Sequence, residues 1–341
     1  MLKKVWFTVA IVGLLLGTTA TLAFTQDSFF KGKVIRIVVG FSAGGGFDTY
    51  SRLIAQHLGK HIPGNPTVIV ENMTGAGSLI AANHIYKVAK PDGLTIGNWN
   101  GGLVLSQLFG LPGIQFDARK FHWIGSPLNL SAVIGLSKAT GITNMQQWMA
   151  AKKPVQMGVT APGSNLYDVP KILQAAIGLP TNFVVGYKGF DEIRLALEAG
   201  EVDAAAPAWP SARATWSRAL ENGQVVIVVQ TGAKRSPYLP NVPLAIEFAK
   251  NEEARQLIRA GTDSTSSINR AYSLPPETPV ERVQLLRKAF QTTMSDPELI
   301  AQAKKAKLEF EPISGEEVES AIADLFKLPS SVLEKLKQAL K

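Results

Sequence analysis

The run Ile35-Arg-Ile-Val-Val-Gly-Phe-Ser-Ala-Gly-Gly-Gly-Phe-Asp48 constrains the fold more than any other part of the chain. It reads as a buried strand, a glycine turn and the start of a helix. Only glycine lets a backbone turn this tightly and lets a ligand approach the main chain closely. The helix that follows offers unpaired N–H groups and the positive end of a dipole. Such a turn suits an anion. A second turn, Glu71-Asn-Met-Thr-Gly-Ala-Gly77, follows the next strand and repeats the plan. The pair reads as two halves of a carboxylate clamp, built from Ser42, Ala43, Gly44, Gly45 and Gly46 on one side and Gly75, Ala76 and Gly77 on the other. Neither turn carries Lys or Arg, so the reading assigns the anion to main-chain donors, at roughly 1.5–3 kcal/mol for each charge-assisted contact.

Alternating strand and helix patterns surround these turns. Val34–Val39, Thr67–Val70 and Leu94–Asn98 read as strands, with helices over Asp48–Leu58 and Ser78–Ala89 between them. This βαβαβ order predicts a parallel sheet with right-handed crossovers. Ligands on such sheets sit beyond the carboxyl ends of the strands, where both glycine turns fall. A second α/β unit follows, with strands at Val155–Val159, Phe183–Val185, Val202–Ala206 and Gln224–Val229. The last third reads as helical, including Ala245–Arg259, Pro279–Met294, Pro297–Ala306, Gly315–Leu325 and Ser331–Leu340. A chain of 341 residues is long enough for about two domains.

Residues 1–23 read as an export signal. Lys3 and Lys4 begin it, Val5 to Leu16 is apolar but short for a bilayer span, and Thr21-Leu22-Ala23 offers small residues for cleavage. Removing two lysines takes the formal charge from +8 to +6. That excess suits anionic solutes, and no dense basic run interleaved with aromatics points to nucleic acid. The chain has no cysteine, which excludes disulfides, thiol chemistry and a lipidated-cysteine anchor. A large exported protein without disulfides fits the periplasm.

Further motifs extend the pattern: Pro91-Asp92-Gly93, Tyr187-Lys188-Gly189, Gly200-Glu201-Val202-Asp203, Lys234-Arg235-Ser236-Pro237 and Pro240-Asn241-Val242-Pro243. Together with the two glycine turns, these resemble the periplasmic solute receptors of tripartite tricarboxylate transporters, the Bug family. The resemblance covers nearly the whole mature chain. It implies an α/β, two-domain, type II-like periplasmic-binding-protein fold with a hinged central cleft. Domain 1 would span 24–126 plus 262–341, and domain 2 would span 127–261. It also implies a monomer that closes on a small organic carboxylate, held partly through ordered water, and delivers it to membrane permease subunits. No enzyme activity, cofactor or metal is expected. The chain departs from the family pattern, mostly in or near the second domain, at Asn165-Leu166-Tyr167-Asp168, Ala204 to Trp209, Leu244 and Tyr272-Ser273. These departures leave the identity of the acid open.

Individual residues carry two readings each. Asp48 either shapes the first turn or accepts from a ligand hydroxyl or amine. Asn72 either braces the second turn or touches the solute. Asn98 and Asn100 flank Trp99 at the end of the third strand; Trp99 is either a wall of the site or core. Gly163, Ser164 and Asn165 grip the far end of the solute or cap a helix. Tyr187 and Gly189 form an opposing turn, and Pro207 and Trp209 line the cleft or pack. His57 and His61 share a helix face, but no acidic partner lies near in sequence, so a metal is rejected. A sensory receptor would need the same cleft. A periplasmic enzyme is disfavoured by the lack of a Gly-x-Ser-x-Gly elbow and of cysteine.

Overall fold

A computed structural model describes residues 29–341 apart from 42, 161–164, 188, 307 and 341, and the side chains of 165 and 214 are also outside the description. The signal at 1–23 and the site residues Ser42, Gly163 and Ser164 therefore lie outside the described residues.

Strand β1 (Val34–Val39) is rich in β-branched residues and leads through the first glycine turn into helix α1 (Gly46–Leu58). Strand β2 (Thr67–Asn72) leads through the second turn into helix α2 (Leu79–Lys87), and β3 (Thr95–Asn98) follows. Strands β2, β1 and β3 are neighbours and parallel, as the sequence pattern requires. Strand β4 (His122–Ser126) closes this part of the chain.

The chain then builds a second sheet from β5 (Val133–Ser137), β6 (Val155–Gly158), β7 (Thr181–Val184), β8 (Ala204–Ala205) and β9 (Val225–Gln230), in the order β7-β6-β8-β5-β9. Helix α3 (Asn165–Ile177) joins β6 to β7, and α4 (Phe190–Ala199) joins β7 to β8. The chain returns to the first sheet as β10 (Tyr272–Leu274), followed by α5 (Val280–Met294), α6 (Pro297–Lys305), β11 (Ile313–Ser314), α7 (Gly315–Phe326) and α8 (Ser330–Ala339). The first sheet reads β11-β4-β10-β3-β1-β2, with β10 antiparallel to both β3 and β4. Its far half is mixed rather than parallel because two short strands come back from the C-terminal third. This is a mixed α/β fold on two sheets.

Two segments connect the sheets. Residues 127–132 lead outward, and the return is a continuous helical path: Glu252–Ile258, a wide π turn at Arg259–Asp263, and Ser264–Ile268. The sequence pattern ends this helix at Arg259, whereas the chain stays helical to Ile268. Side-chain hydroxyls in this stretch bond back to the helix: Thr262 Oγ1 donates to the Ile258 carbonyl (2.8 Å), Thr265 Oγ1 to Gly261 (3.0 Å) and Ser266 Oγ to Thr262 (2.6 Å). Leu130 N–H donates to the Ser266 carbonyl at 3.3 Å, tying the two connections together. Gly261 lets α3 and α8 pack close to this helix, since a Cβ on it would lie 2.5 Å from Ile172 Cδ1 and 3.0 Å from Leu336 Cδ2. The last helix, α8, thus packs against α3 as well as the return helix, so the C-terminal segment touches both halves of the fold.

The core beneath β3 is aromatic. The Trp99 ring lies 5.4 Å from Phe116, 5.2 Å from Phe121 and 5.2 Å from Trp123. Trp99 is fully buried and its Nε1 donates to Ser273 Oγ at 3.0 Å, so it is core and not a wall of the site.

Candidate functional site

The carboxyl ends of β1 and β2 bring the two glycine turns side by side, with Val39 in register with Asn72. Asp48 organises the first turn. Its Oδ2 accepts from the Gly44 N–H (2.8 Å) and from Arg52 Nε (2.9 Å), and its Oδ1 accepts from Asn72 Nδ2 (2.9 Å). Asn72 Nδ2 also donates to the Phe41 carbonyl at 2.8 Å, and Asn72 Oδ1 accepts from Arg52 Nη2 at 3.1 Å. Asp48 and Asn72 are therefore the brace between the turns. The Arg52 guanidinium, with help from the Gly44 and Asn72 donors, draws the Asp48 carboxyl down to about 2. One donor that the sequence reading assigned to an anion, the Gly44 N–H, is taken by this brace. Gly44 has φ +83°, a conformation that favours glycine.

The second turn is strained. Gly75, Ala76, Gly77 and Ser78 have φ of 133°, 46°, 62° and 75°, four left-handed residues in a row, two of them with a Cβ. Ser78 is held in place by its hydroxyl, which accepts from the Asn100 N–H at 2.9 Å. It also sits against the end of β1, because a Cβ on Gly40 would fall 2.3 Å from Ser78 Cβ. Strain of this kind persists only where the surroundings hold it, and it concentrates at functional sites.

A cation that the turn motifs did not reveal completes the arrangement. Arg270, just before β10, lays its guanidinium against the start of α1: a Cβ on Gly46 would lie 2.5 Å from Arg270 Nη2. Its Cζ is 5.2 Å from the Phe47 ring centre and 5.0 Å from that of Tyr50. Arg270 makes no ion pair among the described residues, and its Nε is buried without a hydrogen-bond partner. Burial lowers its pKa, which measures the cost of holding this charge away from water. An arginine stays charged under such a shift. Asp48 is neutralised by Arg52, so the free charge at the turns is positive. Asn98, buried at the end of β3, donates from Nδ2 to the carbonyls of Arg270 (3.0 Å) and Ala271 (3.2 Å). Its amide thus positions the Arg270 backbone.

Asn100 and Gly77 line a cavity of about 530 Å³ that also includes Asp168 of α3, Gly261 and Thr265 of the return helix, and apolar Leu103 and Phe109. This cavity joins one glycine turn to residues of the second-sheet half. The other predicted residues on that half spread more widely. Asn165 opens α3. Tyr187 is half-buried and packs on the cluster of Phe190 and Trp216, and Gly189 is extended backbone preceding α4. Pro207 is buried and its carbonyl accepts from Val133 N–H at 2.9 Å. Trp209 is buried, with Nε1 unpartnered beside a small cavity lined by Leu128, Ser131 and Phe310. No helix among the described residues is long and apolar enough to cross a membrane.

Residues 51–338 match the model of the tripartite tricarboxylate transporter family receptor. The chain is 29% identical over 331 residues to a UPF0065 protein in the gbd 5′ region of Cupriavidus necator, covering 94% of this chain and 93% of that one. A TctC solute binding protein from Polaromonas shares the fold with a TM-score of 0.73 at 20% identity, over 90% of this chain and 98% of that one. Two Rhodopseudomonas palustris structures also share it: MatC with bound malate (TM-score 0.57, 19% identity, 91% and 99% coverage) and a protein with adipate (0.60, 21%, 89% and 97%).

Proposed function

Because this chain belongs to the tripartite tricarboxylate transporter receptor family, we propose that it captures a small organic carboxylate in the cleft between its two halves and delivers it to membrane permease subunits. The observation that carries this reading is the Arg270 guanidinium, unpaired among the described residues and lodged where the first turn enters α1. A charge held there is costly unless an anion meets it. The first turn of α1 adds the unpaired N–H groups of a helix start, and the positive-φ run Gly75–Ser78 follows the neighbouring strand, with Asn72 tied to both Asp48 and Phe41. We assign the solute carboxylate to Arg270, to the first-turn donors of α1 and to the second turn. This modifies the view from sequence, in which main-chain groups sufficed.

The malate and adipate held by the two R. palustris proteins of the same fold support an acid as the class of ligand. The mechanism is closure of the halves (24–126 plus 262–341 against 127–261) about the two connections, with the solute stabilising the shut form. Binding needs no covalent step, and the chain acts as a periplasmic monomer after removal of residues 1–23.

The test is a thermal-shift panel of mono-, di- and tricarboxylates, malate and adipate included, with uncharged sugars and polyols as controls, followed by calorimetry. A one-site ligand at 100 times its dissociation constant stabilises by about 2.7 kcal/mol, a shift of several degrees for a chain of this size. Stabilisation by uncharged solutes alone would refute the proposal.

A further inference from the structure

A second polar cluster lies at the opposite end of α1, away from the turns. His57 is buried, and its Nε2 lies 3.1 Å from Gln302 Oε1; in the tautomer that donates this bond, Nδ1 holds a free lone pair. That Nδ1 has no hydrogen-bond partner. It faces Asp296 Oδ2 at 3.8 Å and Glu298 Oε2 at 3.9 Å. These distances are too long for hydrogen bonds. Three electron-rich atoms thus converge, all within 4.8 Å of one another. His61 Nε2 lies 2.8 Å from the same Asp296 oxygen. Asp296 is buried, and its other oxygen caps α6 by accepting from Glu298 N–H at 2.9 Å, which fixes the carboxylate. The resident cation is Lys60, whose Nζ is 2.6 Å from both Asp296 Oδ2 and Glu298 Oε2.

We propose that His57 Nδ1, Asp296 Oδ2 and Glu298 Oε2 form a site for a zinc-type divalent transition metal, which displaces the Lys60 ammonium and staples α1 to α6, while His61 holds the Asp296 carboxylate from the side. The ligand set suits such an ion: one imidazole and two carboxylates, with the fourth tetrahedral position left to water. Tetrahedral arms of about 2.0–2.1 Å place ligand atoms roughly 3.4 Å apart, so the observed 3.8 and 3.9 Å close by about half an ångström on loading. Gln302 supplies the outer hydrogen bond that fixes the His57 tautomer, as outer-shell partners do in metal sites. Lys60 is two-fifths exposed, so its head can swing into water when the metal arrives. The sequence spacing of His57 and His61 lacked an acidic partner only because Asp296 and Glu298 come from a distant helix.

The experiment uses the mature chain freed of metal by chelator and dialysis. Zn²⁺ is titrated by calorimetry, Co²⁺ by visible absorption, and Mg²⁺ serves as a hard-cation control. One Zn²⁺ per chain, an intense tetrahedral Co²⁺ spectrum and a raised Tm reversed by chelator are expected, with no response to Mg²⁺. His57→Gln and Glu298→Gln should each weaken Zn²⁺ at least about 10-fold. Glu298 is largely exposed, so its variant folds even if the His57 variant does not. Lys60→Ala should tighten Zn²⁺, since it removes the competing cation. No binding, a weak octahedral Co²⁺ spectrum, wild-type affinity in Glu298→Gln, or Lys60→Ala affinity equal to or weaker than wild type would overturn the site. None of these outcomes bears on the carboxylate cleft, which uses other residues.

Discussion

Replacing Gly46 by alanine should separate binding from folding at the proposed anion site. The added methyl would lie 2.5 Å from Arg270 Nη2 and 3.1 Å from its Cζ. A comfortable non-bonded contact needs about 3.5 Å, so the guanidinium must retreat by roughly 1 Å. Its retreat is restricted, because the Phe47 and Tyr50 rings lie within 5.2 and 5.0 Å and its Nε is enclosed. The helix itself gains slightly, since alanine is favoured over glycine by about 0.5–1 kcal/mol in a helix interior and by less at this first position. Those effects oppose each other, so Tm should move by only a few degrees. Affinity has no such offset. A 1 Å displacement carries a 2.9 Å hydrogen bond out of its useful range, and losing one charge-assisted bond of about 1.5–3 kcal/mol lowers affinity about 10- to 150-fold. Calorimetry with the best acid from the panel, beside a melting curve, reads both quantities. Arg270→Lys keeps the charge but lacks the planar fork, and should lose affinity comparably. If Gly46→Ala and Arg270→Lys both bind the acid as wild type does, Arg270 does not touch the solute and the reasoning fails.

Three further outcomes follow from the geometry. Ala76→Gly relieves a left-handed residue at φ 46° and should stabilise the fold by a net 0.5–1 kcal/mol, roughly 2 °C in Tm, with affinity reduced if the strain pre-shapes the site. Asp48 has its pKa lowered to about 2 by Arg52 and the turn donors, so its contribution is complete above the ordinary carboxylate range near pH 4 and is lost as pH falls through 2. Asp48→Asn should cost about 1–2 kcal/mol at pH 7, after discounting for the half-exposed Arg52, and should flatten the acid limb of a pH–stability curve. Asp263, buried in the π turn and accepting from Gly232 N–H (2.9 Å) and Thr262 Oγ1 (2.8 Å), has its pKa raised by burial. A raised carboxyl binds a proton more readily folded than unfolded, so its ionisation costs stability as pH rises, and Asp263→Asn should raise Tm at pH 7 relative to pH 4. A chemical-denaturation series across pH checks both carboxylates.

Much of this architecture is written in local pattern. The βαβαβ order was legible because β-branched runs alternate with amphipathic stretches and glycine marks the turns between them. Asp48 and Asn72 could be named because both lie within the turns they brace. The remainder depends on contacts between segments far apart in the chain. Arg270 carries no motif, and its meaning comes from Gly46, Phe47 and Tyr50 lying beneath it. His57 and His61 were visible as a pair, but their acidic partners arrive on α6. The two short strands β10 and β11, of three and two residues, are too brief for periodicity to announce, yet they set half of the first sheet. The return helix was cut short because propensity treats Thr and Ser as breakers, while here their hydroxyls serve the helix.

The two connections differ in kind. One is an irregular thread at 127–132, and the other is a rod with a single wide coil at Arg259–Asp263, pinned to the thread through Leu130 and Ser266. A rod tied to a thread permits flexion about one axis and opposes swivelling. In the closure proposed above, the two jaws would then meet in the same alignment at every bite, and a molecule of the wrong length would find its far end facing the wrong side chains however long it lingers.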